Sequence, residues 1–89
     1  MAIYKVYFKE SVEKELKSIP KKDLSKILQR IFLLSQEPRP FGCEKLSDQE
    51  RYRIRQGNYR VIYSIQDDEL VVWIVKVGDR KEIYRRRKQ

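Results

Sequence analysis

The chain has 89 residues, 21 Lys and Arg against 13 Asp and Glu, and a net charge of +8. A chain this short builds one domain around one core, which excludes a second catalytic or binding domain within residues 1–89. Residues 1–50 carry ten basic and eight acidic side chains, residues 51–89 eleven and five, so the excess is +2 in the first part and +6 in the second. A basic half of that size suits a polyanion. No apolar run approaches the roughly 20 residues that span a bilayer, and no membrane contact is expected. The start of the chain lacks the apolar core and small-residue cleavage site of a secretory signal, and the single cysteine, Cys43, has no partner for an internal disulfide; both features suit the cytoplasm. Without histidine or a second cysteine the usual zinc sets cannot be assembled, and no metal is expected.

In chain order, residues 2–8 alternate loosely as a strand, with Tyr4, Val6 and Phe8 on one side and Ile3, Lys5 and Tyr7 on the other. Ser11 is placed to cap a short helix with Glu13 in its first turn, and Val12, Leu16 and Ile19 form its apolar stripe. Pro20 ends it. A longer helix is expected over about residues 22–36, striped by Leu24, Ile27, Leu28, Ile31 and Leu34. The short link makes the two helices an antiparallel hairpin. Residues 37–42, with two prolines and a glycine, break regular structure, and the loop is expected to run on to about residue 51.

The stretch 51–84 organises the rest. Gly57-Asn58 and Asp67-Asp68 separate runs rich in Tyr, Val, Ile and Trp, which reads as a three-stranded meander with two tight turns. Two-residue turns pair Gln56 with Tyr59, Arg55 with Arg60, and Gln66 with Glu69. One sheet face then carries Tyr52, Ile54, Val61, Ile65, Leu70, Val72 and Ile74 against the helices. The other carries Arg53, Arg55 and Arg60 beside Ile62, Val71, Trp73 and Val75. Like charges opposite one another on a sheet repel, so an anion is expected over Arg55 and Arg60. An apolar patch bordered by positive charge is a partner surface, for nucleic acid or protein; closure as a homodimer of the free chain is the alternative. The run 85–88 reads as a solvated tail after a short segment at 81–86.

The order strand, helix hairpin, meander, with Lys45-Leu46, Tyr52-Arg53-Ile54-Arg55, Gly57-Asn58-Tyr59-Arg60-Val61-Ile62-Tyr63, Val77-Gly78-Asp79-Arg80 and Tyr84, resembles the RelE/ParE superfamily of toxin–antitoxin toxins. The resemblance covers essentially the whole chain. It implies an α+β fold: an N-terminal strand, a helix hairpin on one face of a small, mainly antiparallel four-stranded sheet, and a short C-terminal segment. The RelE branch implies a cofactor-free endoribonuclease that cuts messenger RNA on the ribosome by 2′-hydroxyl attack on the adjacent phosphate. By that resemblance Arg60 and Arg80 hold the scissile phosphate and Tyr84 stands near the attacking hydroxyl or stacks on a base. Arg53, Arg55, Lys76, Lys81 and Arg85 are the expected RNA-binding residues, and the expected partners are the ribosome, messenger RNA and a RelB-like antitoxin. Asp79 departs from the basic residue that relatives often carry beside Arg80. A ParE-like toxin that binds DNA gyrase without cutting, or a catalytically inactive RNA-binding relative, are the alternative functions.

Chemically, the planar fork of an arginine matches two phosphoryl oxygens at once, which suits Arg60 and Arg80. Proton transfer is harder to supply. Arginine is too weak an acid at neutral pH, and tyrosine is a weak base unless neighbouring cations lower its pKa. Such a site depends on electrostatics and on a substrate held ready for in-line attack.

Overall fold

The computed structural model describes residues 3–46 and 50–79. Their element order is β1 (Lys5–Phe8), α1 (Glu10–Lys17), α2 (Lys21–Leu34), β2 (Glu44–Lys45), β3 (Arg51–Gln56), β4 (Tyr59–Gln66) and β5 (Val71–Asp79). The strands form one sheet in the order β1-β5-β4-β3-β2, with β1 parallel to β5 and every other pair antiparallel. The fold is therefore α+β as expected, but with five strands. The additional strand is β2, two residues inside what reads as loop, pairing Glu44 with Arg53 and Lys45 with Tyr52. Two residues are too few for an alternating pattern to be visible in the sequence.

Both helices start without a side-chain cap. Lys9 rather than Ser11 occupies the N-cap of α1, and Ser11 lies within the first turn, where Glu10 and Glu13 supply the favourable negative charge. Pro20 stops α1 and also begins α2 as its N-cap, a position where its missing N–H costs nothing. The second helix ends at Leu34, two residues earlier than the apolar spacing suggests. Ser35 closes it: its backbone N–H and its hydroxyl both donate to the Phe32 carbonyl oxygen, at 3.0 and 2.6 Å.

The Gly57-Asn58 turn is a two-residue loop, pairing Gln56 with Tyr59 and Arg55 with Arg60 as the spacing requires. Gly57 takes φ +60, the backbone region that favours glycine at the first position of a type II′ turn. The second turn differs. Gln66 pairs with Val71, not Glu69, so the loop is the four residues 67–70, and Leu70 sits at φ 56, exposed rather than in the core.

Between Ile62 and Tyr63 the β4–β5 register slips: Ile62 faces Lys76 and Tyr63 faces Ile74, leaving Val75 without an opposite residue. This bulge reverses the facing of everything after it. Val77 turns into the core instead of out of it, and Lys76 and Gly78 turn outward. The core that results is Val12, Ile19, Ile27, Ile31, Leu34, Ile54, Val61, Tyr63, Val72, Ile74 and Val77. Tyr63 is its largest member and is fully buried, with its hydroxyl donating to the Pro38 carbonyl oxygen at 2.7 Å; burial pushes its pKa up.

The 37–42 loop is tied down from above the sheet edge. Arg39 donates two hydrogen bonds to Asp67, at 3.1 and 2.8 Å, and one to the Tyr52 hydroxyl at 3.2 Å, with its guanidinium 5.2 Å from the Tyr52 ring centre. The Tyr4 hydroxyl donates to the same carboxylate at 2.7 Å. Asp67 thus joins the residue that leads into β1, the 37–42 loop and the β4–β5 turn. At the other side of the sheet β5 extends past the end of β1, and Glu15 covers that open edge. Its carboxylate accepts from the Val77 backbone N–H at 2.9 Å and from Lys76 Nζ at 2.8 Å.

Two outcomes test this frame. Tyr63→Phe leaves the Pro38 carbonyl oxygen without its donor and is expected to lower stability by about 1–2 kcal/mol in urea unfolding. An unchanged midpoint counts against the hydrogen bond. Arg39 and Tyr4 hold Asp67 down to a pKa of about 2, below the ~3.9 of an unfolded chain. A depressed carboxylate contributes stability that is complete above its unfolded value and disappears as the pH falls through its folded value. The protein is therefore expected to lose stability between about pH 4 and 2, and Asp67→Asn to lose less over that window. Parallel acid titrations of the two proteins overturn the assignment.

Candidate nucleic-acid interface

The sheet face away from the helices is set by the alternation of β3 and β4 and by the bulge in β5. Register places Arg51 opposite Ser64, Arg53 opposite Ile62 and Arg55 opposite Arg60 on that face. Glu44 joins them from β2 and Gly78 from β5, the latter directly opposite Arg60. A glycine there presents no side chain across from the guanidinium. Arg60 is only 8% exposed and makes contacts of its own, so it is a held cation rather than a free surface charge. Asp79 is paired in register with Tyr59, on the opposite facing from Arg60, and it too is engaged.

An anion is expected over Arg55 and Arg60; the chain itself supplies one, Glu44, but it contacts Arg53 and Arg55. Glu44 accepts from Arg53 at 3.0 Å, and the same oxygen lies 3.6 Å from Arg55. The hydrogen bond from Arg53, the charges of Arg53 and Arg55 and, more weakly, that of Arg60 hold the Glu44 carboxyl below its ordinary pKa. Arg53 keeps its Nε buried without an acceptor among the described residues. Glu44 was not legible as a site residue, since it precedes the meander in apparent loop. The one available signal was the like-charge pair across the Gly57-Asn58 hairpin.

Of the residues expected in the site, Arg53, Arg55 and Arg60 come together on one face. Lys76 shares that facing, but its ammonium reaches round to Glu15 of α1 and is committed to that ion pair. Arg80, Lys81, Tyr84 and Arg85, and with them the C-terminal segment at 81–86, lie outside the described residues. Farther along the same face the side chains become apolar and aromatic: Tyr7 on β1 is the register partner of Trp73 on β5, their ring centres are 5.1 Å apart, and the planes are inclined by 32°. Among the described residues no cluster of three or more Cys, Asp and Glu side chains could hold a metal ion, and no helix is long and apolar enough to cross a membrane.

Residues 6–84 match the family model described as the ParE toxin of the type II toxin–antitoxin system parDE. The chain belongs to the RelE/ParE family of toxins. It is 32% identical to the toxin RelG of Mycobacterium tuberculosis over 85 residues, covering 93% of this chain and 98% of that one. Among solved structures it is similar to the archaeal RelE–RelB complex of Pyrococcus horikoshii, at 36% identity and a TM-score of 0.79, covering 90% of this chain and 97% of that one. It is also similar to the RelBE2 toxin–antitoxin complex of M. tuberculosis, at 28% identity and a TM-score of 0.77 over 86% of this chain and 98% of that one. Within the family this chain is a RelE-like toxin.

The Glu44 ion pairs offset part of the positive charge of the arginine face. Glu44→Gln removes the only carboxylate that the described structure places on the arginine row. The variant is expected to bind a short single-stranded RNA a few-fold more tightly at low salt, with the difference fading as salt is raised. Fluorescence anisotropy checks this, and equal affinities at every salt concentration disprove it.

Proposed function

We propose that this toxin is a ribosome-dependent messenger RNA endoribonuclease. The observation that carries the reading is the cationic sheet face, with Arg60 buried on the middle strand opposite Gly78 and Arg53 and Arg55 on the next strand. In the proposed reaction the messenger 2′-oxygen bonds to the adjacent phosphorus while the bond to the 5′-oxygen breaks. The products are a cyclic phosphate and a free 5′-hydroxyl, and no cofactor takes part. Negative charge grows on the phosphoryl oxygens as the nucleophile arrives, and a fixed guanidinium such as Arg60 meets it without reorganising. Arg80 is assigned the second phosphate contact, and Tyr84 the position beside the attacking hydroxyl. Glu44 can accept a proton on this face, but its ion pairs make it a weak base. Weak acids and bases shift the burden to positioning, which is why the ribosome is assigned the task of holding the messenger in line.

The partner proposed is a RelB-like antitoxin, the kind of protein found with the P. horikoshii and M. tuberculosis relatives in their complexes. Exposed Leu28, Phe32 and Leu33 on α2, next to a groove lined by Val6, Phe8 and Ile31, supply apolar surface for it. The net charge of +8 favours an acidic partner. These properties suit a cytoplasmic protein. Since the matched family model is described as a ParE toxin, the ParE-like alternative, binding to DNA gyrase without cleavage, is the second reading.

Primer extension on messenger from cells expressing the toxin separates the two. Cuts within codons are expected with the parent protein, and Arg60→Gln, Arg80→Ala and Tyr84→Phe are each expected to reduce them by about 100-fold or more. Thermal unfolding of Arg60→Gln distinguishes lost chemistry from a lost fold. Purified toxin is expected to leave free RNA essentially intact and to cut it when ribosomes are added. Efficient cutting of naked RNA defeats the proposal, and DNA damage signalling without cuts supports the gyrase reading.

A further inference from the structure

We infer that Tyr7 and Trp73 form a base-stacking platform, on which an unpaired nucleotide of RNA lying across the arginine face is held. The inference rests on the reading of that face as an RNA surface, and adds to it a second, aromatic contact point at the far side of the sheet.

The platform is built by register. Tyr7 on β1, Trp73 on β5, Ser64 on β4 and Arg51 on β3 are successive partners across four neighbouring strands, all with the same facing. Strands lie about 4.8 Å apart, so this row runs ~14 Å from the tyrosine to the arginine. That is room for a few nucleotides of a single strand. The next row contains Ile62 and Arg53 with Glu44 beside them, and the row beyond it Arg60 and Arg55. An RNA strand whose phosphates meet the arginines therefore has its bases within reach of the aromatic pair.

Both rings are available. Trp73 is 39% exposed and Tyr7 43%, although they pack against each other. A tryptophan inside a strand, flanked by buried Val72 and Ile74, is an unusual side chain to leave in water. Exposure of two adjacent aromatics calls for a flat apolar partner. Of the candidates, a nucleobase fits the surrounding charge. Lys5, Arg51, Arg53, Arg55 and Arg60 share the facing with a single described carboxylate, Glu44. A second copy of the chain packed symmetrically on this face would bring that same cationic set against itself, because a two-fold interface meets its own patch. Stacking on an aromatic is sequence-tolerant, since every base has a π-face, while the arginines hold the backbone.

Trp73 is the single tryptophan of the chain, so its fluorescence reports on the platform directly. The full-length toxin is titrated at low salt with a single-stranded RNA hexamer and with an abasic oligomer of equal length and charge. The hexamer is expected to quench the emission strongly, and the abasic oligomer is expected to bind through charge with little quenching. Trp73→Leu and Tyr7→Leu are expected to weaken hexamer binding by about 5- to 100-fold while leaving abasic binding unchanged. Tyr7→Leu retains the fluorophore, and far-UV circular dichroism confirms its fold. Equal quenching by the two oligomers, hexamer binding without quenching, no binding of the hexamer at low salt, or undiminished affinity in the folded Tyr7→Leu variant each overturn the platform. Messenger cleavage on ribosomes is scored separately. A toxin that cuts but shows no base-dependent quenching refutes the platform alone, and one that quenches but does not cut retains the platform and refutes the nuclease.

Discussion

The residue at Val75 that has no partner on β4 sets the composition of both sheet faces. Without it, strict alternation from Trp73 would send Val77 outward and Gly78 into the core. With it, Val77 enters the core beside Val61, and a glycine comes to lie opposite Arg60. One extra residue therefore adds a valine to the core and clears the surface across from the most buried cation of the described structure. It also carries β5 past the end of β1, where the freed backbone N–H of Val77 is taken by Glu15. An open strand edge invites pairing with other chains, and a carboxylate from α1 with Lys76 beside it closes that edge.

The charges divide by task. Asp67 and Arg39 are structural: with Tyr4 and Tyr52 they join loop, turn and first strand on the side where the sheet meets the helix layer. Glu15 and Lys76 are an edge closure. Glu44 is different, because it lies among Arg53, Arg55 and Arg60 with its oxygen shared between two guanidinium groups. Three arginines on adjacent strands would repel one another in an otherwise empty sheet face, and a single internal carboxylate offsets part of that repulsion without neutralising it. The face remains positive, ready for a polyanion yet stable in its absence.

Apolar exposure divides as well. Leu28, Phe32 and Leu33 lie on the helix side, and Tyr7 and Trp73 on the arginine side. The first set, two leucines and a phenylalanine, adjoins a groove on the helix layer; the second is a Tyr–Trp pair on the face that carries the arginines. Two chemically distinct surfaces on opposite sides of a small domain are suited to two different kinds of contact.

Much of this was legible in the chain itself. Helical spacing placed Val12, Ile19, Ile27, Ile31 and Leu34 in the core, although Ile19 follows the end of α1, Leu16 and Leu24 are only partly buried and Leu28 of the α2 stripe is exposed. Gly57-Asn58 fixed the β3–β4 register, hence the confrontation of Arg55 with Arg60. These are local properties, decided by turn chemistry and by periodicity within a dozen residues. Four things needed the folded molecule: the bulge at Val75, the four-residue turn at 67–70, the two-residue strand β2, and the ion pairs of Glu44 and Lys76. Each depends on what a distant segment offers across the sheet, since the register of β5 is chosen by how its side chains fill the core under α1 and α2. A sequence carries the pattern of each strand, but which neighbour every side chain faces is settled only when the strands compete for one shared interior.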